Sequence, residues 1–171
     1  EAARRGINII SLRGEAKFLR TITPTAEETI GLMIMLTRNL LWGFAAVRRG
    51  RWQQEKFYGH ELNGKILGLV GFGRLGSLVA KMAKPLGMNV IACDPHVSTA
   101  AMRRAGVEKV NLETVFRQAD VISIHVLLTA KTNNLITRRH FKLMKPSAYF
   151  INTARGELID EKALLEALKK K

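Results

Sequence analysis

From residue 64 to the end, short apolar runs alternate with stretches in which apolar positions recur every three or four residues. The runs at 66–70, 89–93, 108–110, 121–125 and 149–152 read as strands, and the apolar character of the first fits a strand buried on both faces. The periodic stretches predict helices over 74–86, 99–105, 112–118, 137–144 and 161–169. Strand and helix in alternation imply right-handed crossovers, and so a parallel sheet with helices on both faces. Earlier in the chain, 7–12 reads as a short strand. Thr25, with Glu28 three residues on, has the form of a capping box that opens a long helix over 25–49. Ile30, Met33, Ile34, Thr37, Leu40, Leu41 and Phe44 recur along it at helical spacing, a stripe that suits core or a contact between subunits. Residues 50–60 are irregular and aromatic, a connection that wraps onto something else.

The strand at 66–70 runs straight into Gly71-Phe72-Gly73-Arg74-Leu75-Gly76, a G-x-G-x-x-G followed at once by a helix. Gly71 permits the tight turn, Gly73 lets backbone approach a pyrophosphate, and Gly76 lets the new helix pack against the sheet. The helix N-terminus offers unpaired N–H groups and partial positive charge to phosphates. The next strand ends at Asp94, 18 positions after Gly76, near the spacing of a carboxylate that accepts from ribose hydroxyls. Such a group repels a 2′-phosphate. Pro95 and His96 follow it, with no Arg or Lys directly after, so NAD is expected over NADP. The fold class is therefore α/β, a Rossmann-type doubly wound parallel sheet with helices on both faces.

Composition adds three points. The chain has 171 residues with 47% hydrophobic, enough for one domain with a sizeable core. No apolar run is long enough to span a bilayer, no signal-peptide pattern opens the chain, and the single cysteine, Cys93, excludes an internal disulfide. A cytoplasmic protein without a membrane partner is expected. The charge is unusual, with 28 Lys+Arg against 14 Asp+Glu and a net +14. That balance attracts polyanions, but aromatics are only 6% and no nucleic-acid module is legible, so no nucleic-acid partner is expected.

Several stretches together resemble the D-isomer-specific 2-hydroxyacid dehydrogenases. They are Thr25-Ala26-Glu27-Glu28-Thr29, Glu61-Leu62-Asn63-Gly64-Lys65, the glycine turn, Asp94-Pro95, Ile124-His125-Val126-Leu127-Leu128-Thr129 with Thr132, and Asn152-Thr153-Ala154-Arg155-Gly156-Glu157-Leu158-Ile159-Asp160. The part from Gly50-Arg51-Trp52 to the glycine turn looks most like the phosphoglycerate dehydrogenase branch. The resemblance implies an NAD-dependent oxidoreductase acting on the CH–OH group of a small 2-hydroxy acid, with residues 1–23 forming the end of a substrate domain and the crossover, and 24–171 forming the cofactor domain, its core at 64–171 and its sheet incomplete at the C-terminal edge. It implies that Arg74 and Leu75 contact the pyrophosphate and Asp94 the adenosine ribose. Val126 and Thr132 would line the cofactor groove, and Thr153, Ala154 and Arg155 would lie near the nicotinamide. Arg155 is the implied catalytic residue, binding the 2-hydroxy or 2-keto acid and polarising its carbonyl. The family usually has proline where this chain has Leu127.

The family's reaction also uses a histidine acid/base and a glutamate, and both are expected beyond Lys171. Of the four histidines, His125 ends a strand near the groove, but its motif position belongs to the groove and no catalytic role is expected of it. The expectation is a cofactor-binding part, inactive alone, from an enzyme that forms a homodimer through the 25–49 helix and the Trp52 segment. The alternative is a non-catalytic dinucleotide-sensing module of the corepressor type. A methyltransferase also uses a glycine loop and an acidic ribose contact, but the Asn152–Gly156 motif argues against it.

Overall fold

The structure is a computed structural model, and it describes residues 3–7, 15–19 and 21–169. The elements, in order, are α1 (Ala16–Leu19), α2 (Pro24–Thr37), α3 (Leu40–Arg48), β1 (Ile66–Val70), α4 (Arg74–Ala83), β2 (Asn89–Cys93), α5 (Thr99–Arg104), β3 (Glu108–Lys109), α6 (Leu112–Gln118), β4 (Val121–Ile124), α7 (Arg138–Phe141), β5 (Tyr149–Asn152) and α8 (Glu161–Lys169). The expected strand at 7–12 falls largely outside the described residues.

The five strands form one parallel sheet in the order β3-β2-β1-β4-β5. Strand order reverses beside β1, because the chain builds outward through β2 and β3 and then returns to lay β4 on the other side. Side chains alternate between faces as the pleat demands. Leu67 and Leu69 join Ala26, Met33, Val79 and Ala80 in the core under α2 and α4. Val70, Ile122 and Ile124 join Val115, Phe116 and Phe141 on the other face. Among the described residues β5 pairs only with β4. Beside that edge lies an apolar groove of about 520 Å³ lined by Leu36, Phe141, Met144, Phe150 and Leu164.

The N-terminal helices differ from expectation. Thr23, not Thr25, precedes the first turn, and Pro24 opens the helix, a position where the missing N–H costs nothing. The Thr25–Glu28 capping box does not form. The Thr23 hydroxyl donates to the Glu27 carboxylate, and the Thr25 carbonyl accepts from the Thr29 hydroxyl. The single helix over 25–49 is two helices, broken at Arg38 and Asn39, with Asn39 left-handed at φ 53°. The cause is the segment around Gly59, which lies on the break. His60 N–H donates to the Thr37 carbonyl at 2.7 Å, and Asn39 Nδ2 donates to the Tyr58 carbonyl at 3.1 Å. A Cβ on Gly59 would sit 2.1 Å from that Thr37 oxygen, so only glycine permits the approach. Beyond the break, Leu40, Leu41, Trp42, Phe44 and Val47 are exposed, so this half of the stripe is not core. The predicted 137–144 helix is a single turn, α7, capped by the Thr137 hydroxyl and the His140 ring.

Candidate functional site

Register aligns the carboxyl ends of four strands. Val70 stands beside Cys93 and Ile124, and Ile124 beside Asn152. The glycine turn, Asp94, the 125–132 loop and the 153–155 loop therefore leave the sheet along one edge, at the point where strand order reverses. Open parallel sheets bind their ligands there.

Gly71 has φ +95°, which side chains rarely tolerate, and a Cβ there would sit 2.7 Å from His125 backbone atoms. Gly76 meets the turn rather than a strand, since its Cβ would fall 2.2 Å from the Gly71 carbonyl oxygen. A Cβ on Gly73 would project into open space. The turn thus brings α4, a ten-residue helix, onto the sheet edge with its first N–H groups pointing outward above a clear approach. A pyrophosphate fits that cradle.

Asp94 is half-buried, and each of its oxygens already accepts a backbone N–H. Oδ2 takes Phe72 N–H at 2.8 Å and Oδ1 takes His96 N–H at 2.8 Å. The acid expected to hold the ribose therefore also braces the glycine turn. A carboxylate has lone pairs beyond these two, so ribose hydroxyls still find acceptors. Leu75 is half-buried, while Arg74 is exposed and its Nη1 donates to the Leu19 and Ile22 carbonyls at 3.0 and 2.9 Å.

Val126 is half-buried and lies against the Gly71 turn. The Thr132 hydroxyl donates to the Leu127 carbonyl at 2.6 Å and accepts from Thr129 N–H at 2.8 Å, so it folds the 127–132 loop on itself. Thr153 meets Thr29 of α2, hydroxyl to hydroxyl, at 3.0 Å. Asn152 brackets the loop after β5, accepting from Ala154 N–H at 3.0 Å and donating to the Arg155 carbonyl at 2.8 Å. Arg155 is exposed. Its Nη1 donates to the Ala154 carbonyl at 2.7 Å, and no carboxylate pairs with it among the described residues.

His125 forms part of the floor. Its Nε2 lies 2.9 Å from the hydroxyl of the fully buried Ser123, and Nδ1 is buried with no partner among the described residues. Burial pushes its pKa down to about 4, so the ring is neutral near pH 7. His140 is used in the α7 cap, and burial followed by the nearby Arg139 charge lowers its pKa. Sequence reasoning missed Asn152 as a loop brace, although an asparagine before a turn is a signal for it. It also missed the Phe72 N–H, for which no side-chain signal exists.

A glycine turn feeding a helix N-terminus, a braced acid one strand away and a basic loop on the same edge define a dinucleotide-binding α/β domain. The chain belongs to the D-isomer specific 2-hydroxyacid dehydrogenase NAD binding domain family, which matches residues 30–171. D-3-phosphoglycerate dehydrogenase of Methanocaldococcus jannaschii is 47% identical over 145 residues, covering 84% of this chain and 28% of that protein. Glyoxylate reductase of Thermococcus litoralis is 38% identical over 176 residues, covering 99% of this chain and 52% of that one. D-lactate dehydrogenase from Aquifex aeolicus, solved with NAD and lactic acid, superposes with a TM-score of 0.81 at 33% identity, covering 85% of this chain and 44% of that one. The chain thus spans between about a quarter and a half of the length of these relatives.

Proposed function

We propose that the chain is the cofactor-binding part of an NAD-dependent oxidoreductase that interconverts a small 2-hydroxy acid and its 2-keto acid. The observation that carries this is the convergence of the glycine turn, Asp94 and the Arg155 loop on one sheet edge. Gly71, Gly73 and Gly76 shape the pyrophosphate cradle, Asp94 accepts from the adenosine ribose, and Val126 supplies an apolar wall. Held in that cradle, NAD would supply the hydride chemistry at the carbon that carries the hydroxyl. Arg155 binds the acid and stabilises the negative charge that grows on the carbonyl oxygen during reduction. Its fork is free to do so once it releases its neighbour's carbonyl. Thr153 and Ala154 hold that loop beside the nicotinamide, and Asn152 sets its shape.

The same reading makes residues 1–23 the end of a substrate domain and 24–171 the cofactor domain of a cytoplasmic enzyme. It makes the protein a homodimer whose contact includes the exposed apolar face of α3. The test is a fluorescence titration of the chain with NADH and NADPH, followed by Arg155→Ala in the complete enzyme. Saturable NADH binding, weaker NADPH binding, and a variant that loses turnover at unchanged NADH affinity are expected. Equal affinity for the two cofactors removes the role of Asp94, and unchanged turnover removes Arg155 from the mechanism.

A further inference from the structure

The backbone entering α2 is tied to the cofactor edge at two places. From the glycine turn, Arg74 reaches across and donates from Nη1 to the carbonyls of Leu19 and Ile22. From the loop after β5, Thr153 meets Thr29 in the second turn of α2. These two contacts come from two different loops of the same sheet edge, and they end on Leu19, Ile22 and Thr29. Arg74 is the first residue of α4, so its cation stands at the helix end that faces the pyrophosphate. A guanidinium carries five N–H donors in a rigid fork. The two on Nη1 serve the carbonyls, and the three on Nη2 and Nε have no partner among the described residues.

We propose that Arg74 is a positioning residue that bridges a bound pyrophosphate and the Leu19 and Ile22 carbonyls, so that the dinucleotide fixes the backbone entering α2. This rests on the reading that the glycine turn holds a dinucleotide. A phosphate oxygen on the free side of the fork immobilises the guanidinium, and the two carbonyls on its other side lose freedom with it. A lysine at this position supplies the charge but not a planar fork that faces two ways.

The experiment is amide hydrogen exchange over 18–23, with and without saturating NADH, on the wild-type chain and on Arg74→Met and Arg74→Gln. Arg74 is exposed, so both variants are expected to melt within about 2 °C of wild type, as surface substitutions do. NADH is expected to slow exchange of the Thr21 and Ile22 amides about fivefold or more in wild type, as ordering of a locally opening segment does. In both variants that slowing is expected to vanish even when NADH is raised to saturation. Saturable binding without slowing in wild type overturns the bridge alone. Slowing that persists in both variants also overturns it. Failure of the wild-type chain to bind NADH at all overturns the dinucleotide reading and the bridge with it.

Discussion

Replacing His125 with glutamine isolates one buried titration. The imidazole hydrogen-bonds to Ser123, sits beneath the glycine turn, and has its pKa lowered by burial from 6.5 to about 4. The unfolded chain takes up a proton near pH 6.5, while the folded chain refuses it until about pH 4. A lowered histidine pKa means that stability is intact above 6.5 and is lost as pH falls from 6.5 to about 4, after which the curve is flat for this group. The drop from 6.5 to about 4 corresponds to about 3 kcal/mol at full titration, most of it lost between pH 7.5 and 4.5. The assay is urea unfolding followed by circular dichroism at half-unit steps over that range, comparing wild type with His125→Gln. The amide keeps a partner for Ser123 but does not titrate. Other groups, including His140, contribute to both proteins and cancel in the difference. A wild-type stability that falls no faster than the variant's refutes the argument that this ring is neutral and desolvated in the native fold.

Two further outcomes follow from close contacts elsewhere. Gly76→Ala puts a methyl 2.2 Å from the Gly71 carbonyl, a backbone atom that cannot swing aside, so α4 must shift. NADH affinity is expected to fall by at least about tenfold, read by fluorescence titration, and stability by about 1–3 kcal/mol as for an overpacked contact. Binding within twofold of wild type refutes the cradle. At the opposite end of the sheet, Asp120 accepts Ile66 N–H at 2.8 Å and pairs with Lys145 at 2.8 Å. Burial works to raise its pKa, but the hydrogen bonds from Lys145 and Ile66 outweigh it and hold the carboxyl below its usual value. Its contribution is therefore present above about pH 4 and lost as pH falls through the lowered native value. Asp120→Ala is expected to cost about 1–3 kcal/mol at pH 7 by stranding the Ile66 amide, and to flatten the acid limb of the stability curve. Chemical denaturation at pH 7 and pH 3 measures both.

The sheet was legible because each strand carries its own signal. Residues 66–70, 89–93 and 149–152 are strands at the positions their apolar runs mark, and 121–125 loses only its last residue. The glycine turn and Asp94 were legible for the same reason, since both are local side-chain patterns. What escaped depends on segments distant in sequence. The break between α2 and α3 is imposed by Tyr58, Gly59 and His60, and nothing within 25–49 announces it beyond an asparagine able to go left-handed. The Thr132 hydroxyl, expected along the groove, donates to the Leu127 carbonyl, a bond that only the loop's path determines. Arg74 was expected on the pyrophosphate, and no local pattern announces that its Nη1 donates to the Leu19 and Ile22 carbonyls.

The two backbone amides on Asp94 have a bearing on how this lineage changes its coenzyme. In a site where the acid met only ribose, one substitution would both remove the repulsion of a 2′-phosphate and leave the turn intact. Here the same change takes an acceptor from the Phe72 and His96 amides, from one of them with asparagine and from both with an apolar side chain. Single-step variants toward the phosphorylated coenzyme therefore begin with a loosened turn and weaker binding of either dinucleotide. A shift of preference becomes accessible only along mutational paths that first install a new acceptor for those amides. On the proposed reading, the acid is held in place by the architecture of its neighbours as much as by the molecule it would discriminate.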